Sequence, residues 1–213
     1  MSDFSSVVSH DSSDFQRISD VIDDVILDIR YYSSNNFTGK KIKGYNAPVA
    51  YLTKKALNAL VIAAADLRKQ GYRLLIWDAY RPQKAVDHFI EWINDPNDLG
   101  DKSFYPKFRK SDLISHDYIA LKSGHSRGST IDLTMVKKDG SPVDMGGSFD
   151  LFDARSNQNY KGLTENQENN RKILENAMIK AGFVGINSEW WHYTYKDEDY
   201  KDTYFDFDVE YSV

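Results

Sequence analysis

Apolar residues three and four positions apart are clearest over residues 52–70. There Leu57, Leu60, Val61, Ala64 and Leu67 mark one face of a helix, and Gly71 stands where a C-terminal cap belongs. The RLLIW run at 73–77 is short and continuously apolar, the pattern of a buried strand, ending at Asp78. Pro82 suits the first position of a second helix, which buries Val86, Phe89, Ile90 and Ile93 and stops near Asp95-Pro96. A third helix opens at the capping box Thr164-Glu165-Asn166-Gln167, turns Ile173, Leu174, Ala177, Met178 and Ala181 inward, and ends at Gly182. Strands are expected at YIAL (118–121), at IDLTMV (131–136), and from residues 183–186 into EWWHYTY. The tail alternates Phe205, Phe207, Val209 and Tyr211 with Asp206, Asp208, Glu210 and Ser212, as in an edge strand whose charges discourage pairing with other chains.

Elsewhere the pattern is weaker. Residues 1–16, rich in Ser and Asp, are expected to be a disordered leader to one domain over 17–213, with His10 merely polar. Residues 21–29 fit a helical face, yet VILDIRY is equally rich in strand formers, and both readings stay open. Thr38-Gly39 reads as a turn and 94–117 as an irregular insertion. The segment 137–163, crowded with Gly, Asp, Ser and Asn, is too long for an idle loop and is read as a wall or lid.

Composition narrows the function. A chain of 213 residues, 41% hydrophobic, can bury one core, and a net charge of -5 argues against nucleic acid or an anionic membrane as partner. No apolar run is long enough for a membrane span, and the N-terminus lacks the pattern of a secretory signal, so a cytoplasmic location is expected; a mature chain with its signal removed would read the same, which leaves the periplasm open. With no Cys, neither disulfides nor thiolate metal sites are available.

The chemistry concentrates in SGHSRGSTID at 123–132 and EWWH at 189–192. Two imidazoles and a carboxylate, His125, Asp132 and His192, make a common catalytic zinc set that leaves a fourth position for water or substrate. Glu189, three residues before His192, is placed to take a proton from that water. In a strand the two would face opposite sides, so a bend or bulge near Ser188-Glu189 is required. The other histidines carry less: His88 points away from its helix's apolar stripe, and adjacent His116 and Asp117 cannot both reach one metal.

Ser-x-His-x-x-Gly-x-x-x-Asp followed by Glu-x-Trp-His resembles the signature of the zinc D,D-peptidases, which include the D-alanyl-D-alanine dipeptidases of the vancomycin-resistance type. WDAYRP (77–82), DMGGSFDLFDARS (144–156), ILDIRYYSSNNFTG (26–39) and DTYFDF (202–207) resemble the dipeptidase branch, so the likeness runs from about residue 20 to the C-terminus. It implies an α+β fold: a single domain with a central, mainly antiparallel sheet flanked by helices. It implies one zinc ion per chain and hydrolysis of the small dipeptide D-alanyl-D-alanine; the preference for D-stereochemistry rests on the resemblance alone. Arg81, at a strand-to-helix corner, would stabilise the oxyanion, as the family's motif and the permanent charge of guanidinium suggest. Ser123 would bind the substrate carboxylate, a plain turn serine being the competing reading, and Tyr31 and Asp150 would hold its ammonium. The same metal set would also serve a D,D-carboxypeptidase acting on longer peptidoglycan stems, or a non-catalytic zinc-binding module. The sequence does not fix the oligomeric state.

Overall fold

The three helices form as hydrophobic spacing predicts, and so do the strands at RLLIW, IDLTMV and from residue 183 into EWWHYTY. In the computed structural model, which describes residues 7–116 and 118–212, the chain runs β1 (Val7–Ser9), β2 (Phe15–Arg17), β3 (Ile26–Leu27), β4 (Tyr51–Thr53), α1 (Lys54–Lys69), β5 (Tyr72–Asp78), α2 (Gln83–Asn94), β6 (Thr130–Lys137), α3 (Glu165–Lys180), β7 (Phe183–Ile186), β8 (Glu189–Tyr195) and β9 (Thr203–Phe205). The main sheet has the order β3-β5-β6-β8-β7 and is antiparallel except for the β3–β5 pair, giving a single α+β domain. VILDIRY therefore resolves as a two-residue strand followed by a 3-10 turn at Arg30–Tyr32. Burial of almost every β6 residue puts that strand at the centre of the core. Helices α1 and α3 pack on each other, on β5 and on β7. Among the described residues no helix is long and apolar enough to cross a membrane.

The loop at 138–163 is held in place by side chains. From α3, the buried Arg171 guanidinium donates to the carbonyls of Met145 (2.7 Å), Asn157 (2.7 Å) and Arg155 (2.9 Å). Its positive charge lies over the Trp190 ring. Phe149 stacks on Trp77 of β5 with centroids 4.9 Å apart.

Four expectations need correction. The leader is ordered over much of its length: β1 pairs with β9 and β2 with β4, while residues 1–6 lie outside the described part. Its anchor is Phe15, buried in an aromatic cluster with Tyr80, Phe205 and Phe207, one residue's contacts that Ser- and Asp-rich composition hides. YIAL is not a strand; 118–121 is bend and coil, and the next element is a 3-10 turn, Gly124–Arg127. The tail stops being a strand at Phe205 because Asp206 and Asp208 turn to cap and pair with α2: Asp206 accepts the Lys84 amide (2.7 Å) and Asp208 meets Lys84 Nζ (2.5 Å). His88 is half-buried rather than solvated and accepts a hydrogen bond from the Lys43 amide. His116 packs against the Phe108 ring, and Asp117 lies outside the described residues.

Candidate active site

His125, Asp132 and His192 arrive on three different supports and meet. Asp132 on β6 and His192 on β8 are cross-strand partners. His125 comes from the 3-10 turn, whose last residue is followed by Gly128 at φ 82. A Cβ on Gly128 would also lie 2.3 Å from the Phe15 ring, so the turn closes only with glycine there. His125 Nε2 stands 3.2 Å from His192 Nδ1 and 3.2 Å from Asp132 Oδ2, and His192 Nδ1 is 3.0 Å from Asp132 Oδ1. Zinc bonds of ~2.0–2.1 Å in a tetrahedron separate neighbouring ligand atoms by roughly 3.3 Å. The three groups therefore fit one ion, and they are the group of His and acidic side chains among the described residues whose donor atoms cluster in this way.

The hydrogen bonding of His125 suits a metal as well. His125 Nδ1 donates to the Ala79 carbonyl at 2.7 Å, which fixes the tautomer and leaves Nε2 with its lone pair turned toward the other two groups. Burial alone would raise the Asp132 carboxyl, but the two imidazoles beside it hold it well below the usual carboxylate range. Burial lowers His125. For His192 burial acts in the same direction, but the hydrogen bond and charge of Asp132 outweigh it and the imidazole is raised.

Glu189 lies beside this set, its Oε2 3.5 Å from His192 Nδ1. The β7–β8 register slips between Gly185 and Ile186, so that Ile186 opposes Glu189 directly, and this irregularity brings Glu189 and His192 to one side. The bend that alternation demanded is present. Burial, reinforced by Asp132, pushes the Glu189 carboxyl up to about 7.

Arg81 closes the opposite side. Its Nε donates to Asp78 Oδ2 at 2.9 Å, its second terminal nitrogen reaches toward Asp132 Oδ2 at 3.5 Å, and its guanidinium lies over the rings of Tyr31 and Phe89. Asp78 also accepts from Tyr45 Oη at 2.6 Å and stands 3.6 Å from His125 Nδ1. Asp78, Tyr45 and the Ala79 carbonyl are supports that sequence reasoning missed. The WDAYRP motif holds a signal for Asp78, three residues before Arg81; nothing in the sequence singles out Tyr45.

Ser123, Tyr31 and Asp150 line the same cavity, of about 170 Å³. Ser123 Oγ accepts the His125 amide, which leaves its O–H to donate elsewhere. Tyr31 Oη donates to Asp150 Oδ2 at 2.8 Å. Asp150 is buried, and burial together with the nearby Asp132 charge raises its carboxyl well above the ordinary value. It is also the non-glycine residue with positive φ, 56°, among the described residues. Backbone held in that region is strained, and such strain gathers at binding sites. Tyr118 and Ile119, expected on a strand, instead form part of the cavity wall.

A D-alanyl-D-alanine dipeptidase of Enterococcus faecium is 40% identical over 92% of this chain and 98% of its own length. The corresponding proteins of Enterococcus faecalis and Streptomyces coelicolor are 42% and 38% identical, over 92% and 93% of this chain and 98% and 99% of theirs. The family model described as D-ala-D-ala dipeptidase, Peptidase_M15, matches residues 11–210. With that match spanning nearly the whole chain, and relatives of this similarity over their full length, the chain belongs to the Peptidase_M15 family of D-ala-D-ala dipeptidases.

Proposed function

We propose that this enzyme hydrolyses D-alanyl-D-alanine to two D-alanines with one zinc ion held by His125, Asp132 and His192. The observation that carries the reading is the meeting of those three side chains, one ligand atom from each lying within 4.8 Å of the others, with Glu189 at their edge and a buried carboxyl group, Asp150, in the same small cavity. Zinc, when bound, supplies a Lewis acid that polarises the scissile carbonyl and makes water acidic enough to attack near neutral pH. Glu189 accepts the proton of the attacking water on a carboxylate oxygen and returns it to the leaving amine. Arg81, already aligned by Asp78, donates to the carbonyl oxygen as negative charge develops there. Asp150 and Tyr31 take the substrate ammonium, and the Ser123 hydroxyl donates to its carboxylate. Holding both charged ends restricts the substrate to a dipeptide.

Two further readings are weaker. A cavity of about 170 Å³ is smaller than the ~300–1,000 Å³ clefts that hold larger ligands, which favours a free dipeptide over a peptidoglycan stem. A purely structural zinc is closed by four protein ligands, whereas three donors gather here beside a base and a guanidinium. The Cys-free composition fits a reducing compartment, and the cytoplasm is the proposed one. The decisive assay is amine release from D-alanyl-D-alanine, from its L,L isomer and from a stem pentapeptide, with and without chelator. Chelator-sensitive turnover of the D,D dipeptide alone is expected; preference for the pentapeptide would move the enzyme to the carboxypeptidases.

A further inference from the structure

None of the described residues of the C-terminal tail, 203–212, lines the substrate cavity, yet the tail grips the corner that delivers Arg81. Tyr80, immediately before Arg81, stacks its ring on Phe207 with centroids 4.1 Å apart, and its Oη donates to the Phe207 carbonyl at 2.8 Å. On the other side of Arg81, α2 opens at Pro82, whose side chain caps no amide. Asp206 supplies an acceptor from outside the helix, taking the Lys84 amide at 2.7 Å, and a carboxylate suits the positive end of a helix. Farther along, Val209 shares backbone hydrogen bonds with Gly44, Asn46 and Ala47, the neighbours of the Tyr45 that bonds Asp78. The corner in turn meets a proposed metal ligand twice. The Arg81 amide donates to the His125 carbonyl at 3.3 Å, and the Ala79 carbonyl takes the His125 ring at 2.7 Å.

We infer that Phe207 is a positioning residue for the hydrolysis, acting through Tyr80 on Arg81, and that Asp206 holds the other end of the same corner through Lys84. The inference rests on the dipeptidase reading, in which Arg81 donates to the developing oxyanion. Asp78 and the rings of Tyr31 and Phe89 orient the guanidinium, but they act only on the head of a long side chain. Where that head stands relative to the metal ligands also depends on the Arg81 backbone, and Tyr80 and Pro82 set the backbone from either side. A misplacement of about 1 Å is enough to cost roughly 100-fold in rate. The tail therefore belongs to the catalytic machinery at one remove, without touching substrate.

The test is a pair of mutant cycles, Phe207→Ala and Asp206→Ala, each made alone and together with Arg81→Ala. The zinc-loaded enzymes are compared in kcat and KM for D-Ala-D-Ala, and zinc content with circular dichroism at the assay temperature establishes which variants are folded. Phe207→Ala alone should lower kcat by about 10- to 100-fold with KM within about threefold. Asp206→Ala, which leaves the aromatic cluster in place, should lower kcat by about three- to tenfold. With Arg81 already removed, each substitution should change the residual kcat by no more than about twofold, since the group being positioned is gone. Should Phe207→Ala not fold, the Asp206→Ala cycle decides by itself. Equal losses with and without Arg81 overturn the inference, because the tail would then act on the fold as a whole. An unchanged kcat in the folded single variants overturns it as well, while leaving the dipeptidase intact. A wild type without turnover of D-Ala-D-Ala overturns the dipeptidase reading itself.

Discussion

Asp132 and His192 stand opposite each other on neighbouring strands, with Asp132 Oδ1 3.0 Å from His192 Nδ1. The backbone ladder therefore fixes two of the three proposed metal ligands before any ion arrives. Slipping β8 by one residue would turn His192 to the other face of the sheet and leave Asp132 alone. His125 is less constrained by hydrogen-bonded strands; its position depends on the Gly128 turn and the Ala79 carbonyl.

Zinc affinity should rise with pH between 6 and 8. Without metal, Asp132 holds a proton on His192 above the ordinary imidazole range, and Glu189 titrates at about 7. Binding needs the His192 lone pair and brings positive charge next to Glu189, so both groups shed protons, roughly one to two in all near neutral pH. Calorimetry in buffers of different ionisation enthalpy measures this number, and proton uptake would contradict the ligand assignment.

Glu189→Gln keeps the shape of the side chain and removes its basicity. The variant should hold zinc as the wild type does while kcat falls by about 10²–10⁴-fold. Loss of metal in parallel with activity would make Glu189 a ligand instead of a base.

Arg81→Lys should fare little better than Arg81→Ala, with kcat down by roughly 10²–10³-fold in both. A lysine keeps the charge but not the planar fork that bonds Asp78 while lying over Tyr31 and Phe89. Recovery of most activity by lysine would show that charge alone matters.

Asp150→Asn preserves an acceptor for Tyr31 and tolerates the left-handed backbone, so the loop should survive. Removing the charge that meets the ammonium should raise KM by roughly 10- to 100-fold, the worth of a hydrogen bond between charged groups, with a smaller change in kcat. An unaltered KM would send the ammonium elsewhere.

Arg171→Met tests how the loop is held. Burial brings the guanidinium down to about 10, still charged at neutral pH, and its loss strands three carbonyls. A loss of about 2–5 kcal/mol in unfolding free energy is expected, since each buried carbonyl left without its donor costs about 1–3 kcal/mol unless water reaches it. Urea denaturation measures it, and a change below 1 kcal/mol would mean the loop is held by its aromatic contacts.

Much of this was legible in the sequence because it depends on neighbours along the chain. Helical spacing, the Thr164 capping box and glycine stops are local, and α1, α2 and α3 formed close to where they were expected. The residue types of the site were legible too, since zinc, base and oxyanion chemistry draw on few side chains. Tertiary structure decided the rest. Whether Phe15 is loose or buried depends on Tyr80, Phe205 and Phe207, contributed from far along the chain. The side of β8 that Glu189 shares with His192 depends on a register slip against β7, which alternation placed near Ser188-Glu189 and which falls between Glu189 and Tyr193. Asp78 and Tyr45 gained their roles only when folding laid them against Arg81 and His125, because contacts between distant segments leave no periodicity to read.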